Sequence, residues 1–252
     1  MLKNKIYLIY IFFKKVFSHN QYEAIRKLFV HLLSRIYSRN LNELSVLYRT
    51  DKRPEYHNYI QYYQKYFHHL RKKKLNILEI GIGEGKRLNK GGGSLRMWKR
   101  YFSNSIIYGI DIYDKSFMQE KRIKTFRGDQ SDEKFLRNVF DKIGSLDIII
   151  DDGSHINEHV ITTFKTLFPL LNNGGIYVIE DTQASYWPEF GGNSENLNSP
   201  NTVMNLLKNI TDGLNYKEFK KQVYVPTYFD KHITSTHFYH NIAFIFKGKI
   251  EE

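Results

Sequence analysis

The chain contains no cysteine. Disulfides, thiolate metal sites and cysteine nucleophiles are therefore excluded, and nothing calls for an oxidising compartment, so a cytoplasmic location is the expectation. Long apolar runs are missing near the N-terminus. Residues 6–13, between Lys3, Lys5, Lys14 and Lys15, form an apolar stretch of eight residues, whereas crossing a bilayer takes about 20. No small-residue cleavage site of secretory type follows it. Aromatic and aliphatic residues between lysines also fit an interfacial helix, so membrane-surface contact stands as an expectation beside a helix packed on its own domain. Internal repeats and low-complexity segments are absent as well.

Acidic residues are scarce in one part of the chain only. Residues 1–75 hold 16 Lys/Arg against 4 Asp/Glu, and residues 76–252 hold 22 against 22, so the net charge of +12 lies entirely in the first part. A basic arm approaches anionic lipid, anionic polysaccharide or RNA by the same electrostatics. Because residues 76–252 carry no basic excess, nucleic acid is not the expected partner.

At 252 residues and 41% apolar, the chain suits one α/β domain with an N-terminal extension. Tyr22, Ile25, Leu28, Phe29 and Leu32 recur at helical spacing, as do Tyr59, Tyr62, Tyr63, Tyr66 and Phe67, with a polar break at Arg49-Thr50-Asp51-Lys52-Arg53-Pro54 between them. The basic run Arg71-Lys72-Lys73-Lys74 marks a boundary. Residues 1–74 read as a basic helical extension and residues 75–252 as the catalytic domain.

Beyond that boundary, short apolar runs at 76–80, 106–110, 123–126, 147–150 and 175–179 alternate with helical stretches at 95–101, 132–142 and 158–171. This is the pattern of strand-helix-strand units in a parallel sheet. The last helix is expected to stop at Asn172-Asn173-Gly174-Gly175. Runs 233–239 and 242–246, separated by His240-Asn241, read as a hairpin at the sheet edge. Five parallel strands and a terminal antiparallel hairpin fit the Rossmann-like sheet of class I S-adenosylmethionine-dependent methyltransferases better than a plain dinucleotide fold.

The first strand runs into Glu79-Ile80-Gly81-Ile82-Gly83-Glu84-Gly85, where Gly81 and Gly83 let the backbone turn tightly beside a ligand. Gly91-Gly92-Gly93-Ser94 opens the next helix, a position that suits the methionine carboxylate of the cofactor. Asp111 ends the second strand, where an acid accepts hydrogen bonds from ribose hydroxyls. Asp129 and Gln130 follow the third, within reach of an adenine edge.

The fourth strand delivers Asp151-Asp152-Gly153-Ser154-His155 and the fifth Glu180-Asp181. One crossover helix separates them, so the strands are expected as neighbours with both motifs at their carboxyl ends. Converging carboxylates repel unless a cation balances them, and oxygen ligands suit magnesium. Asp152, Glu180 and Asp181 are the expected ligands, and His155 is placed as a general base. The loop after Asp181 carries Tyr186, Trp187 and Phe190, rings able to wall a pocket against the C–H faces of a sugar.

These residues resemble the metal-dependent sugar O-methyltransferases of macrolide biosynthesis. The resemblance rests on Thr50-Asp51-Lys52, Leu78-Glu79-Ile80-Gly81, Gly91-Gly92-Gly93-Ser94-Leu95-Arg96-Met97-Trp98-Lys99, Gly109-Ile110-Asp111-Ile112-Tyr113-Asp114-Lys115-Ser116, residues 151–157 and Glu180-Asp181, across roughly residues 45–195. It implies S-adenosylmethionine and magnesium as cofactors, magnesium held by Asp152, Glu180 and Asp181, and His155 as the base. It also implies, as acceptor, a sugar hydroxyl of a saccharide, glycolipid or glycosylated natural product; Glu79 and Ser94, from the glycine loop and the helix start, complete the residues expected in the cofactor site. The chain departs from those enzymes in having a basic arm where they carry a long auxiliary domain, which leaves assembly, a homo-oligomer included, and the acceptor open. The rival readings are an RNA methyltransferase and a non-catalytic scaffold for polysaccharide assembly.

Overall fold

A computed structural model describes residues 16–83, 91–220 and 224–249. The N-terminal apolar stretch, and Glu84 and Gly85 of the glycine loop, lie outside the described residues. The chain divides into two compact units meeting between His69 and Leu70, slightly before the basic run expected to mark the boundary.

In the first unit α1 (His19–Ile36), α2 (Leu41–Tyr48) and α3 (Ile60–Phe67) follow one another. Ser18 and Gln21 form a capping box on α1, and the Asn40 side chain accepts from the Glu43 N–H to cap α2, satisfying amides that have no partner within the helix. The tyrosine stripe is core: Tyr59, Tyr63, Tyr66 and Phe67 are buried. The stripe expected on α1 divides differently, with Tyr22 buried and Leu28, Phe29 and Leu32 exposed together with Ile36. No helix among the described residues is long and apolar enough to cross a membrane.

The second unit is built on a sheet of seven strands: β1 (Asn76–Ile80), β2 (Ile106–Asp111), β3 (Ile123–Arg127), β4 (Leu146–Asp151), β5 (Leu171–Glu180), β6 (Ile233–Tyr239) and β7 (Ile242–Lys247). Their order is β3-β2-β1-β4-β5-β7-β6, with β7 antiparallel to both neighbours. The class I methyltransferase sheet read from the sequence is thus the sheet observed. Its helices are α4 (Gly93–Tyr101), α5 (Glu133–Ile143), α6 (Asn157–Leu167), α7 (Val203–Gly213) and α8 (Tyr228–His232).

Central β4 presents Ile148, Ile149 and Ile150, all buried, as a parallel strand covered on both faces requires. Leu78, Tyr108, Ile149 and Tyr177 join Phe164, Phe168 and Leu207 in one core cluster. The helical stretch expected to reach residue 171 ends earlier, and Asn172-Asn173-Gly174-Gly175 lies within β5. Leu171 pairs with Leu146 before a register shift, which lets the strand begin ahead of the glycines. Buried Lys247 donates from Nζ to the carbonyls of Phe168, Pro169 and Leu171 at 3.2, 2.8 and 2.6 Å, a cation on carbonyl groups just past the end of α6.

Candidate active site

β4 lies between β1 and β5, with Ile80 opposite Asp151 on one side and Ile179 opposite Asp151 on the other. The register therefore sets three loops side by side, those beginning at Gly81, Asp152 and Asp181. The Asp152 N–H donates to the Ile80 carbonyl at 3.0 Å. Gly81, at φ +80, lies so close that a Cβ there would overlap the carbonyl oxygen of Asp152. Glycine is required at this position both by the left-handed backbone and by the approach of the neighbouring strand.

At the carboxyl ends of β4 and β5, Asp152, His155 and Asp181 each present one ligand atom within 4.8 Å of the others. The His155 Nε2 is 3.4 Å from the Asp181 carboxylate and 4.0 Å from that of Asp152. His155 and Asp181 both sit in left-handed backbone, at φ 58 and φ 53, uncommon for residues with a side chain. Glu180, expected beside Asp152 and Asp181, is buried at the end of β5, opposite Ile242, and is not part of this three-residue group. The two carboxylates are oxygen donors of the kind a hard divalent cation takes, and the imidazole beside them is a nitrogen base that such a cation does not favour as a ligand.

Asp151, which the sequence left without a task, is buried, and burial pushes its carboxyl up to about 7; the side-chain amide of Gln130 and the backbone of Gly153 oppose that rise, while the charge of Asp152 adds to it. Gln130 donates from Nε2 to Asp151 and to Thr163 at 3.1 Å each, and its Oε1 accepts the Ser154 N–H at 2.6 Å. Its side chain, expected at the adenine edge, is instead committed to bracing the loop that carries His155. The Ser154 hydroxyl lies 3.1 Å from Nδ1 of His159.

Asn157 closes the stretch 151–157 and is buried at the start of α6. Its Nδ2 donates to the carbonyls of Ala184 and Phe190 at 3.0 and 2.9 Å, and its Oδ1 accepts from Ser185 Oγ and the Val203 N–H at 3.2 and 2.7 Å. One buried amide thus joins the start of α6, the aromatic loop and the start of α7. Apart from an amide residue near a helix start, the sequence carries no signal for this, because all four partners are distant in the chain. The Phe190 ring meets the His155 ring edge-on with centroids 6.5 Å apart, and Trp187 lies 5.9 Å from Phe190.

On the cofactor side, buried Glu79 accepts from the Ser94 hydroxyl at 2.8 Å, tying β1 to the first turn of α4. Asp111 accepts from the N–H groups of Tyr113 at 2.9 Å and Ile82 at 3.4 Å, so its carboxylate faces the glycine loop. Gly83 and Gly91 approach closely enough that a Cβ on Gly91 would lie 2.5 Å from the Gly83 Cα. Asp129 accepts from both the N–H and the hydroxyl of Ser131 at 2.8 Å, the backbone bond first among the causes that hold its carboxyl below the usual range. That is a turn-forming arrangement.

No protein-family model matches the chain. Among curated proteins it is 46% identical over 210 residues to demethylmacrocin O-methyltransferase of Streptomyces fradiae, covering 83% of this chain and 53% of that protein. It is 44% identical over 214 residues to mycinamicin VI 2''-O-methyltransferase of Micromonospora griseorubida, covering 84% and 54%. It is 46% identical over 192 residues to 8-demethyl-8-alpha-L-rhamnosyl tetracenomycin-C 2'-O-methyltransferase of Streptomyces olivaceus, covering 76% and 50%. A solved structure of MycE methyltransferase from the mycinamycin biosynthetic pathway, in complex with Mg, SAH and mycinamycin VI, matches at 45% identity and TM-score 0.80 over 83% of this chain and 54% of that one. The chain spans about half the length of the curated relatives it matches.

Proposed function

From a chain that has the class I methyltransferase fold and is a homologue of the sugar O-methyltransferases of macrolide biosynthesis over about half their length, we propose an S-adenosylmethionine-dependent, magnesium-assisted O-methyltransferase acting on a sugar hydroxyl. The observation that carries the reading is the meeting of Asp152, His155 and Asp181 within 4.8 Å, beside the glycine turn at Gly81. The acceptor is a sugar-bearing molecule, in keeping with the glycosylated substrates in the relatives' names.

Gly81, Gly83, Asp111 and the first turn of α4 hold the cofactor, with Asp111 accepting from ribose hydroxyls. Asp129 and the backbone of Gln130 line the adenine side, while the Gln130 side chain braces the loop that carries His155. Asp152 and Asp181 hold magnesium, with Glu180 as the third carboxylate. When bound, magnesium lowers the pKa of a coordinated hydroxyl and offsets charge that develops on its oxygen. His155 takes the hydroxyl proton at Nε2 as the oxygen attacks the methyl carbon, and the C–S bond of the sulfonium breaks with its electron pair going to sulfur. The neighbouring carboxylates of Asp181 and Asp152 stabilise the resulting imidazolium. Phe190, edge-on to the imidazole, limits water at that face.

The test is transfer of labelled methyl from S-adenosylmethionine to a panel of glycosides with magnesium present and after chelation. Metal-dependent transfer to a sugar hydroxyl is the expected result; transfer to nitrogen or to RNA overturns the reading.

Membrane-surface contact through the first unit is a second reading, favoured by α1. Leu28, Leu32 and Ile36 are exposed and spaced four apart along one side of the helix, with exposed Lys27, His31 and Arg35 beside them, the apolar and basic faces of an interfacial helix. Vesicles containing anionic lipid should retain the protein in flotation and neutral vesicles should not; equal retention by both removes the basic face from the reading.

A further inference from the structure

The loop that follows Asp181 and the turn between β6 and β7 face one another across a cleft of about 600 Å³. Tyr186 and Trp187 stand on one wall, and Phe238, His240 and Asn241 on the other. A second cleft of about 310 Å³ shares Met204 and Phe238 with the first and continues to Lys208 and Asp212. The walls are tied together: Thr182 N–H donates to the Asn241 carbonyl at 3.2 Å, and Met204 N–H to Ser185 Oγ at 3.0 Å. The groove is therefore preformed, and it begins at Thr182, the residue after the proposed metal ligand Asp181.

Its lining is unusual for a surface. Trp187 is 45% exposed, Phe238 43% and Tyr186 36%, although large aromatic rings bury readily when a core is available. The same lining includes Thr182, His240 and Asn241, which bring hydroxyl, imidazole and amide groups. Ring faces together with hydrogen-bonding groups suit a pyranose, which has C–H faces and a hydroxyl edge. Ligand sites for small molecules span roughly 300–1,000 Å³, so the two clefts have room for more than one sugar ring, and neither contains His155.

We propose that this groove is an acceptor subsite for sugar residues adjoining the one that is methylated, so that the substrate is an oligosaccharide or oligoglycoside and not a free monosaccharide. The proposal rests on the sugar O-methyltransferase reading and adds the substrate class to it. The methylated ring lies beside Asp152, His155 and Asp181, and its neighbour lies against Trp187 and Phe238. Phe238 stands on the edge strand β6 and lines both clefts, which makes it the position where the groove is tested without disturbing the core.

The experiment compares methyl α-L-rhamnoside, a linear rhamnose trisaccharide and p-nitrophenyl α-L-rhamnoside as acceptors for the full chain, with magnesium and labelled cofactor. Binding is followed in parallel by tryptophan fluorescence. The chain has two tryptophans, and Trp98 is fully buried, so ligand-dependent changes report on Trp187. The trisaccharide should exceed the methyl glycoside at least tenfold in kcat/KM and in affinity. That preference should fall towards unity in Phe238→Ser and survive in Phe238→Tyr. No preference, a preference untouched by Phe238→Ser, or one shared by the nitrophenyl glycoside overturns the groove. Methylation of all three probes alike leaves the methyltransferase reading standing and removes the groove. Tight, Phe238-dependent binding of the trisaccharide without methyl transfer does the reverse. Neither binding nor transfer with any probe overturns the subsite.

Discussion

The Nε2 of His155 lies 3.4 Å from the carboxylate of Asp181, although the two residues leave different strands and are 26 positions apart in the chain. In the proposed mechanism this imidazole takes the acceptor proton and has no part in binding cofactor at the glycine loop. His155→Ala should therefore lower kcat for methyl transfer by roughly 10²–10⁴-fold, the usual contribution of a general base. Cofactor affinity, measured by calorimetry, should stay within about twofold of the parent, about 0.4 kcal/mol in free energy. An unchanged rate would transfer the proton to Asp152.

Removal of divalent metal separates the two ends of the site. Chelation should abolish transfer and leave cofactor binding intact, and added magnesium should restore activity. Asp181→Asn and Glu180→Gln should each weaken magnesium binding in a calorimetric titration. If Glu180→Gln binds magnesium as the parent does, the ligand set reduces to Asp152 and Asp181, the two carboxylates that the geometry joins.

Asp111 ends β2 and Asp129 follows the neighbouring β3, but they differ in what their oxygens face. Asp111 accepts from the amides of Ile82 and Tyr113, next to the glycine loop, whereas Asp129 turns to Ser131. Asp111→Ala should cost at least about tenfold in cofactor affinity, as loss of charge-assisted hydrogen bonds requires, and Asp129→Ala should cost less. Equal losses would remove the ribose role from Asp111.

Gly81 and Gly174 share φ +80, but only Gly81 faces a backbone atom where a Cβ would go; around Gly174 nothing lies within 4 Å. Gly174→Ala should destabilise by about 1–2 kcal/mol, the cost of a left-handed L-residue. Gly81→Ala should lose a further amount of about 1–3 kcal/mol from overpacking against Asp152. Urea denaturation of both variants checks the difference, and equal losses would mean that β1 and β4 separate easily at this end.

Asn157→Asp keeps the acceptor oxygen for Ser185 and Val203 and replaces the donor to Ala184 and Phe190 with a second acceptor. Two carbonyls then face a carboxylate oxygen, and a stability loss of about 2 kcal/mol or more is expected in thermal melts. Activity should fall further than stability alone accounts for, since Phe190 packs against His155.

The strand-end acids were legible because a parallel sheet brings successive carboxyl ends to one edge, and short apolar runs mark where those ends fall. The bounds of β1 and the hairpin of β6 and β7 followed from the same signals. Asn172-Asn173-Gly174-Gly175 misled because the residues that usually stop a helix also sit in an exposed strand end. Helix α7 carries a readable signal in Val203, Leu207 and Ile210, all buried, but it lies beyond the regular alternation of strand and helix. The work of Gln130 and Asn157 was not legible, because an amide side chain gives no sign in sequence of which distant groups it will bridge. Exposure of Leu28, Phe29 and Leu32 was likewise hidden, since helical spacing shows that a face is apolar and not whether anything covers it.

His155 and Asp181, at φ 58 and φ 53, occupy backbone that glycine adopts without penalty and that costs other residues about 1 kcal/mol or more. A gene copy relieved of selection for its chemistry would gain stability by drifting to glycine or asparagine at either position, and both changes lie on the easy side of the mutational landscape. Glycine or asparagine would satisfy the backbone at either position, so the fold by itself does not call for an imidazole at 155 or a carboxylate at 181.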